Sequence, residues 1–454
     1  MKKPDPRSIA LHWMRRDLRL QDNRALANAL ESGQPVICCF VFDRGILDRL
    51  VNKSDRRVAF IHRELHRIQT ELNAQGAQLL VGYGNVSEIW TQWLEDFKEA
   101  SIEVKEVHVA RDYEPYAQER DRSMAELFRA KNIAFKGVKD SVILEKDEVL
   151  KKDGLPYTVF TPFSKKWKET LRNEDFAEAN SLELLASMKK PLEHLQRFKT
   201  PDIPTLQSMG FEAPPDLNDL IPSPVVNSST LEQYSEQRDF PSVAGTSRLS
   251  VHLRFGTLGI RAAYRQGIQS SDKWVMELIW RDFYQMILYH FPHSAKDSFR
   301  PAYDRIPWSN KEDHFEAWCN GKTGYPIVDA GMRELLSTGF MHNRVRMVVA
   351  SFLCKHLLID WRWGEQHFAA HLLDYDQASN VGGWQWAAGC GCDAAPYFRV
   401  FNPTAQQAKF DGKALYIKKW VPEYGTATYP SPIVEHAVAR VKAIETYKAA
   451  LQKD

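Results

Sequence analysis

The segment Ser8–Leu20, SIALHWMRRDLRL, decides the class of the N-terminal region, because an apolar run of strand length passes directly into an arginine-rich one. Later apolar runs of similar length are separated by amphipathic helical patterns; these runs are PVICCFVFD, AQLLVGYG, EVHVARDY and IAFKGVKDSVI. Repeated alternation of strand and helix is typical of a parallel sheet with helices on its faces. The sequence therefore predicts an α/β domain at the N-terminus.

The helical pattern SDRRVAFIHRELHRIQTELNAQG illustrates this alternation. One face of the predicted helix carries the apolar side chains, and Gly76 is suited to end it; the apolar residues are Val58, Ile61, Leu65, Ile68 and Leu72. The first strand is not followed by a G-x-G-x-x-G or a G-x-x-x-x-G-K-[ST] motif. The domain thus gives no evidence for ordinary dinucleotide binding.

The composition is that of a globular protein large enough for two or three domains, with 454 residues, 44% of them hydrophobic and 26% charged. No apolar run reaches membrane-spanning length. Pro4, Asp5 and Pro6 interrupt the N-terminal segment before an apolar region develops, so we expect a cytoplasmic protein without a secretory signal. The formal net charge of +2 does not identify a partner.

The six cysteines include no C-x-x-C pair. Cys390 and Cys392 are the only pair of cysteines that could be considered as metal ligands, but C-x-C without nearby histidines is poor spacing for zinc. We expect reduced thiols and no metal site.

The chain divides into three parts by pattern. Residues 1–140 form the α/β domain, residues 141–229 a connector, and residues 230–454 a helical domain. The connector is rich in proline and without period from Arg197 to Ser229, which is typical of a link between domains. Helical periodicity returns in the C-terminal part, in WVMELIWRDFYQMILYHF, DAGMRELLSTG, HNRVRMVVASFLCKHLL and GEQHFAAHLL.

The stretch Asn380–Phe398, NVGGWQWAAGCGCDAAPYF, places Trp384 and Trp386 among very small residues. A metal site, a packed core and a pocket for a flat ligand all agree with this composition. Aromatic rings beside thin backbone suit a cofactor ring or an unstacked base.

Two polar motifs of the helical part are each ambiguous alone. GTSRLS, at Gly245–Ser250, offers hydroxyls and backbone N–H groups at a helix start, which suits either a phosphate or a simple N-cap. In DYDQASN, the side chains of Asp374, Asp376 and Asn380 suit a metal, a helix cap or an imide.

Two helical segments add charged and polar faces. Glu277 and Arg281 lie four residues apart, and an exposed ion pair at that spacing contributes roughly 0.2–0.5 kcal/mol. Asn343 and Met347 share one helix face, from which Arg344 and Arg346 diverge.

Taken together, these motifs resemble the photolyase/cryptochrome family, most closely the microbial class I cyclobutane pyrimidine dimer photolyases. The motifs occur in the family's order over nearly the whole chain: RRDLRLQDNRAL, FTPFSKKW, GTSRLS, ELIWRDFY, GKTGYPIVDAGMR, MHNRVRM and GGWQWAAGCGCDAAPYFRVFNP. The resemblance implies an α/β antenna domain, followed by an all-α domain that binds FAD beside a hole for a flipped lesion.

The resemblance also implies which residues contact FAD. The phosphates and the ribityl chain would meet Thr246, Ser247, Arg248, Leu249 and Ser250, with Tyr234, Trp274 and Arg281 nearby. Asn343 would face the flavin N5. The remaining contacts near the ring would come from Arg346, Asp374, Tyr375, Asp376 and Asn380.

For DNA, the resemblance implies three sets of residues. Trp280, Trp386 and Met347 would line the lesion pocket, and Glu277 would hydrogen-bond the damaged base. Phosphates around the hole would be held by Arg238, Arg344 and Arg399. An electron-transfer chain would run through Trp384, Trp361 and Trp308.

The implied activity is light-dependent splitting of cyclobutane pyrimidine dimers in UV-damaged DNA, single- or double-stranded, by electron transfer from excited reduced FAD. We expect recognition of the lesion rather than of sequence, no membrane partner, and a monomer.

A signalling cryptochrome is the main alternative, although Glu277, Asn343 and Met347 are repair-type residues. The chain also ends soon after its last helical pattern, where signalling members often carry an extension. Repair of pyrimidine–pyrimidone photoproducts is disfavoured, because that branch has paired histidines where this chain has His342–Asn343. A light-independent DNA-binding protein is a third alternative.

Family members also bind an antenna chromophore at the α/β domain: a reduced folate, a deazaflavin or a second flavin. The folate type carries Asn-Glu where this chain has Pro115 and Tyr116. A folate site of that kind is therefore disfavoured, and the identity of a second chromophore stays open.

Overall fold

The computed structural model describes residues 8–187 and 200–452. Pro4–Pro6, used in the prediction about a secretory signal, and the part of the predicted connector at 188–199 lie outside the described residues. The chain divides into two compact units, each assembled from separate segments. The α/β unit comprises Met1–Glu145, Leu171–Val225 and Leu249–Gln266, and the helical unit comprises Lys146–Thr170, Val226–Arg248 and Gly267–Asp454.

The α/β unit contains a parallel sheet of five strands, as the sequence predicts. The strands are β1 (Ser8–Trp13), β2 (Val36–Asp43), β3 (Gln78–Gly84), β4 (Glu103–Ala110) and β5 (Ala134–Val138). Their order in the sheet is β3-β2-β1-β4-β5. Strands β1 and β2 are buried along their whole length, as expected when helices cover both faces of a parallel sheet. Strand β5, with 5 residues, is much shorter than the apolar run IAFKGVKDSVI suggests.

Helices surround this sheet in the sequence order expected for β–α alternation. Helix Arg56–Ala74 buries Val58, Leu65, Ile68 and Leu72, and Gly76 follows it in the left-handed conformation at φ +71°. Ile61, expected on the same face, is half-buried. The other α-helices of this unit are Arg24–Glu31, Arg44–Leu47, Val86–Glu99, Pro115–Ala130, Asn173–Phe176, Ser181–Ser187, Leu217–Leu220 and Ser250–Phe255, and Ile260–Ser270 continues past Gln266.

The arginine-rich run after β1 enters a buried charge network within this unit. The Arg19 guanidinium donates to Asp140 at 2.6 Å, and Arg261 donates to Asp22 at 2.9 Å and to Asp140 at 2.8 Å. All four side chains are almost fully buried. Arg19 of the RRDLRL run therefore serves the interior of the fold, where its charge has a partner of opposite sign.

The helical unit contains the predicted helices of the C-terminal part. The four predicted segments appear as Asp272–His290, Pro326–Thr338, Asn343–Ser351 and Trp361–His371. The segment HNRVRMVVASFLCKHLL is not one regular helix, because a π-helix follows at Phe352–His356. The other α-helices are Phe160–Thr170, Ser228–Glu232, Tyr234–Gln237, Glu312–Cys319, Gln377–Ala388, Pro403–Phe410, Leu415–Trp420 and His436–Leu451.

Short 3-10 helices complete the described elements, at Lys146–Glu148, Gln207–Met209, Pro292–Ala295 and Pro301–Arg305. In the described part of the chain, no helix has the length and apolar character needed to cross a membrane.

Candidate functional site

Helix Gln377–Ala388 is the centre of the candidate site. It packs against three helices that carry predicted site residues: Asp272–His290, Asn343–Ser351 and Trp361–His371. Close packing is possible because Gly382 lies against Tyr284, where an added Cβ would come within 2.4 Å of the ring. The small residues of the GGWQWAAGCGC stretch thus allow helices to approach one another.

Glu277 forms an ion pair that the sequence does not reveal. Its carboxylate accepts a hydrogen bond from Arg238 at 2.5 Å, with 34% of the Glu277 side chain and 23% of the Arg238 side chain exposed. The Arg238 guanidinium also lies 5.0 Å from the ring centroid of Tyr234. Burial raises the pKa of the Tyr234 phenol, and the Glu277 carboxylate raises it further. The surface pair of Glu277 with Arg281 is thereby replaced by a pair with a residue that was predicted to hold phosphate.

Trp280 lies on the same helix, three residues beyond Glu277. Its ring stacks on Phe160 with 3.5 Å between centroids and 5° between planes, and it contacts Tyr284 at 5.4 Å. Phe160 begins the helix Phe160–Thr170, whose Trp167 donates to Asp282 at 3.0 Å. The motif FTPFSKKW therefore supports the half-buried Trp280 ring from one side.

Trp386 and Arg399 meet through a shared aromatic neighbour. The Trp386 ring lies 6.4 Å from Phe401, and the exposed Arg399 guanidinium lies 5.2 Å from the same ring. A half-buried indole and an exposed cation therefore lie at one part of the surface.

Helix Asn343–Ser351 carries two of the predicted DNA residues. Arg344 donates to Asp239 at 2.7 Å and to the sulfur of Met347 at 3.8 Å. Asn343, the first residue of the helix, is exposed. His342 caps the helix, and burial lowers its pKa to about 4, so it is neutral near pH 7.

Arg346 and Asp374 form a second ion pair at 3.0 Å, and Arg346 also donates to the Met341 carbonyl at 2.8 Å. The Arg346 side chain is 28% exposed, whereas the Asp374 side chain is 5% exposed. The structure thus pairs two of the residues that the family resemblance implies to lie near the flavin ring.

The polar residues after Asp374 hold the start of helix Gln377–Ala388. Asp376 caps this helix by accepting from Ser379, and it also accepts from Gln285 at 3.0 Å. Asn380 donates to Glu365 at 2.9 Å. Tyr375 donates to the same Glu365 oxygen at 3.4 Å. Burial raises the pKa of Glu365, although both hydrogen bonds oppose that shift.

Sequence reasoning missed Gln285 and Glu365, although each lies within a quoted or predicted helix. Their partners are distant in the sequence, and no local pattern marks a pair of that kind.

The GTSRLS segment contacts the start of helix Asp272–His290. The Trp274 indole donates to the Ser247 hydroxyl at 3.3 Å. Arg248 is in the left-handed region at φ +52°, and its guanidinium lies 4.5 Å from the Phe340 ring. A non-glycine residue in that region carries local strain, which occurs often at binding sites. Thr246 is half-buried, Leu249 is buried, and Ser250 begins the helix Ser250–Phe255.

These residues fit a flavin nucleotide in their chemistry. The Oε1 atom of the buried Gln285 has no hydrogen-bond partner among residues 8–187 and 200–452, which suits a donor on a ligand. The hydroxyls of GTSRLS suit phosphate oxygens, and the exposed Asn343 amide and the partly exposed Arg346 suit a polar ring edge.

The predicted electron-transfer tryptophans lie in one hydrophobic core cluster or against it. Trp384 is 2% exposed and its ring contacts Phe368 at 5.0 Å and Trp318 at 6.0 Å. Trp361 is 1% exposed, and the half-buried Trp308 contacts Tyr447 at 5.9 Å. An added Cβ at Gly364 would come within 2.1 Å of the Trp384 ring, so glycine is required there.

Cys390 and Cys392 are free thiols, and burial raises the pKa of each to about 12. Residues 8–187 and 200–452 contain no cluster of His, Cys, Asp and Glu side chains suited to a metal ion.

In the α/β unit, Pro115 and Tyr116 begin the helix Pro115–Ala130. The Tyr116 hydroxyl donates to Asp43 at 2.6 Å, at the end of β2, and Arg49 lies over its ring. Both residues are thus part of the carboxyl edge of the sheet.

Comparison with known families and structures adds independent findings. A model described as DNA photolyase matches residues 10–182, and one described as the FAD binding domain of DNA photolyase matches residues 274–427. A deoxyribodipyrimidine photo-lyase from Synechococcus is 37% identical, over 94% of this chain and 93% of the relative.

Two solved structures are similar over nearly the whole chain. A bacterial class III photolyase from Agrobacterium tumefaciens has a TM-score of 0.84 and 32% identity, with 98% of each chain covered. A cryptochrome from Synechocystis has a TM-score of 0.78 and 25% identity, with 97% of this chain and 99% of the other covered.

Proposed function

This chain belongs to the DNA photolyase family, and we propose that it splits cyclobutane pyrimidine dimers in UV-damaged DNA with the energy of light. It is an enzyme of the photo-lyase type with FAD as cofactor. The observation that carries the proposal is the arrangement on helix Asp272–His290. There Glu277, in its partly exposed pair with Arg238, lies one helical turn from Trp280, and Phe160 stacks on one face of the Trp280 ring.

FAD would be held by the polar groups around helix Gln377–Ala388. Thr246, Ser247, Arg248, Leu249 and Ser250 would bind its phosphates and sugar chain, with Tyr234, Trp274 and Arg281 beside them. Asn343, Arg346, Asp374, Tyr375, Asp376 and Asn380 would bind the ring system. When bound and reduced, FAD supplies the electron that light makes available.

The lesion would stack against Trp280 and Trp386 and touch Met347. Taking a base out of the helix costs a few kcal/mol, and least where pairing is already damaged. Stacking on aromatic side chains returns roughly 1–3 kcal/mol per base. Binding to single- or double-stranded DNA would therefore depend on the lesion rather than on sequence.

Phosphate binding requires an exchange of partners. Arg238 is paired with Glu277 and Arg344 with Asp239, whereas Arg399 is exposed. A phosphate that binds Arg238 would leave the Glu277 carboxylate available to the damaged base. Pairs that are partly exposed exchange readily, because solvent has already weakened their attraction.

Trp384, Trp361 and Trp308 would relay electrons through the helical core. Trp384 and Trp361 are almost fully buried, and Trp308 is half-buried, so the series would lead from the interior toward the surface.

A signalling cryptochrome is the second candidate, favoured by the similarity to the Synechocystis cryptochrome. The repair-type residues Glu277, Asn343 and Met347 favour dimer splitting. A second chromophore, a monomeric state and a cytoplasmic location stay predictions.

The test is illumination of the purified protein, with reduced FAD, on an oligonucleotide that contains one thymine dimer. We expect light-dependent recovery of intact thymines and no recovery in the dark. Bound FAD without dimer splitting would instead support the cryptochrome alternative.

A further inference from the structure

A lysine is buried beneath the segment that joins Trp386 to Arg399. Lys355 is 1% exposed and lies in the π-helix Phe352–His356. Single-turn π-helices occur often at functional sites, and lysine is almost never fully buried unless it is paired. The position of this charge therefore requires an explanation.

The Lys355 ammonium joins two points of the backbone. It donates to the Ala388 carbonyl at 3.0 Å and to the Tyr397 carbonyl at 3.1 Å. It also lies 3.9 Å from the ring centroid of Tyr447, so its three N–H donors meet two carbonyls and an aromatic face. Ala388 ends helix Gln377–Ala388, and one ammonium thereby holds both ends of the segment Gly389–Tyr397.

Further contacts hold the middle of this segment. The Arg300 amide donates to the Cys390 carbonyl at 3.0 Å, and the Phe160 amide donates to Asp393 at 3.0 Å. Phe160 is the residue that stacks on Trp280. Trp386 precedes the segment and Arg399 follows it. The hydrogen bonds that hold the two ends of the segment together therefore set the spacing between these two side chains.

Burial lowers the pKa of Lys355 to about 8, and both hydrogen bonds that its ammonium makes to the described residues go to backbone carbonyls rather than to carboxylates. A buried charge of this kind is costly, and an apolar side chain of similar length would avoid that cost. The two thiols and the phenol of the cluster stay neutral near pH 8. The pKa values of Cys354, Cys390 and Tyr447 are raised by burial, and Asp360 is paired with Arg362.

We propose that Lys355 is a positioning residue for damaged-DNA binding, which holds the segment Gly389–Tyr397 so that Trp386 and Arg399 reach the DNA together. The inference rests on the proposed function, since it assumes that Trp386 and Arg399 contact DNA. Lys355 itself acts only through the two carbonyls.

The first test replaces Lys355 by methionine. Lys442→Met is the matched control, because Lys442 is exposed on helix His436–Leu451 and the change removes the same charge. Kd is measured for a thymine-dimer oligonucleotide and for its undamaged counterpart at one salt concentration. We expect Lys355→Met to weaken lesion binding by about tenfold and to reduce the preference for the lesion, with FAD content unchanged. Lys442→Met should change Kd for both oligonucleotides by the same small factor.

The second test measures how the preference for damaged over undamaged DNA depends on pH. A lysine that only stabilised the fold would not make this preference depend on pH. Above about pH 8 the neutral amine holds the carbonyls less tightly, since the charge no longer strengthens the hydrogen bonds. The lesion preference of the unmodified protein should fall between about pH 7 and about pH 9.5, and this step should be missing in Lys355→Met. If Lys355→Met does not fold, the pH series of the unmodified protein decides alone.

Equal lesion preference in Lys355→Met and in the unmodified protein would overturn the inference. A flat pH series of the unmodified protein would do the same. If the unmodified protein shows no preference for damaged DNA at any pH, the proposed function fails instead.

Discussion

In the α/β unit, buried charged side chains pair with one another and form a closed network. In the helical unit, the arginine–carboxylate pairs described above are partly exposed to solvent, and we call them open pairs. Arg261 and Asp140 are fully buried and form an ion pair at 2.8 Å, and Arg261 also pairs with the buried Asp22, while Glu277 and Arg238 are 34% and 23% exposed. A closed network can only stabilise the fold, since any exchange would leave a buried charge unpaired. A partly exposed pair can exchange its partner for a ligand, so exposure separates structural ion pairs from those that suit binding.

The largest expected effect comes from breaking the closed network. Arg261→Met leaves Asp22 and Asp140 without one partner, and removing one member of a buried pair costs about 3–5 kcal/mol. We expect that loss in the free energy of unfolding by urea. Arg44→Met is the control, because Arg44 pairs with Asp48 where both side chains are more than half exposed. Equal losses in both variants would remove the distinction between closed and open pairs.

Lowering the pH should destabilise the same α/β unit. Burial alone would raise the pKa of Asp112, but Arg16, Arg254 and other arginines outweigh it and lower the pKa to about 2. The unfolded chain then binds more protons than the folded one between about pH 4 and pH 2, so stability falls as the pH falls through that range. Each unit of pKa corresponds to about 1.4 kcal/mol. Asp112→Asn should show a smaller fall in unfolding free energy over this range, and an unchanged fall would contradict the assignment.

The tryptophans of helix Gln377–Ala388 allow a similar comparison within the helical unit. Trp384 is buried against Gly364, whereas Trp386 is half-buried beside Phe401. We expect Trp384→Phe to slow photoreduction of the oxidised flavin by about tenfold or more while FAD stays bound, since an aromatic of similar shape remains. Flash photolysis measures the rate, and Trp363→Phe on the neighbouring helix is the control. A normal rate in Trp384→Phe would show that the electron path does not use it.

Glu277→Gln should have the smallest effect and tests the open pair directly. Groups that meet developing charge in dedicated oxyanion sites contribute about 2.7–4 kcal/mol, and the glutamine amide keeps a hydrogen-bonding group of the same size at this position, so we expect a smaller, several-fold loss. The measurement is dimers split per absorbed photon with fully reduced flavin. Melting temperature and FAD content should stay close to those of the unmodified protein.

Glu236→Gln removes the same charge from an exposed position nearby and should leave the yield unchanged. An unchanged yield in Glu277→Gln as well would leave Glu277 as a structural partner of Arg238.

The sequence predicted the fold well, because strands and helices are encoded by local periodicity. All five strands and the helix Arg56–Ala74 lie where apolar runs and period place them. The π-helix Phe352–His356 was not predicted, since its apolar residues also agree with a regular helix. The partners of Glu277 and Trp280 were not predicted either, because Arg238 and Phe160 are distant in the sequence and only the folded chain brings them close.

The contact between Gly364 and Trp384 also limits how this chain can evolve. Even an alanine methyl group would overlap the indole, so helix Trp361–His371 would have to move away from helix Gln377–Ala388. A second, compensating change at Trp384 to a smaller ring would restore the packing but remove the indole. A single substitution of Gly364 should therefore not be tolerated. Substitutions there should be found only together with changes in the neighbouring helix.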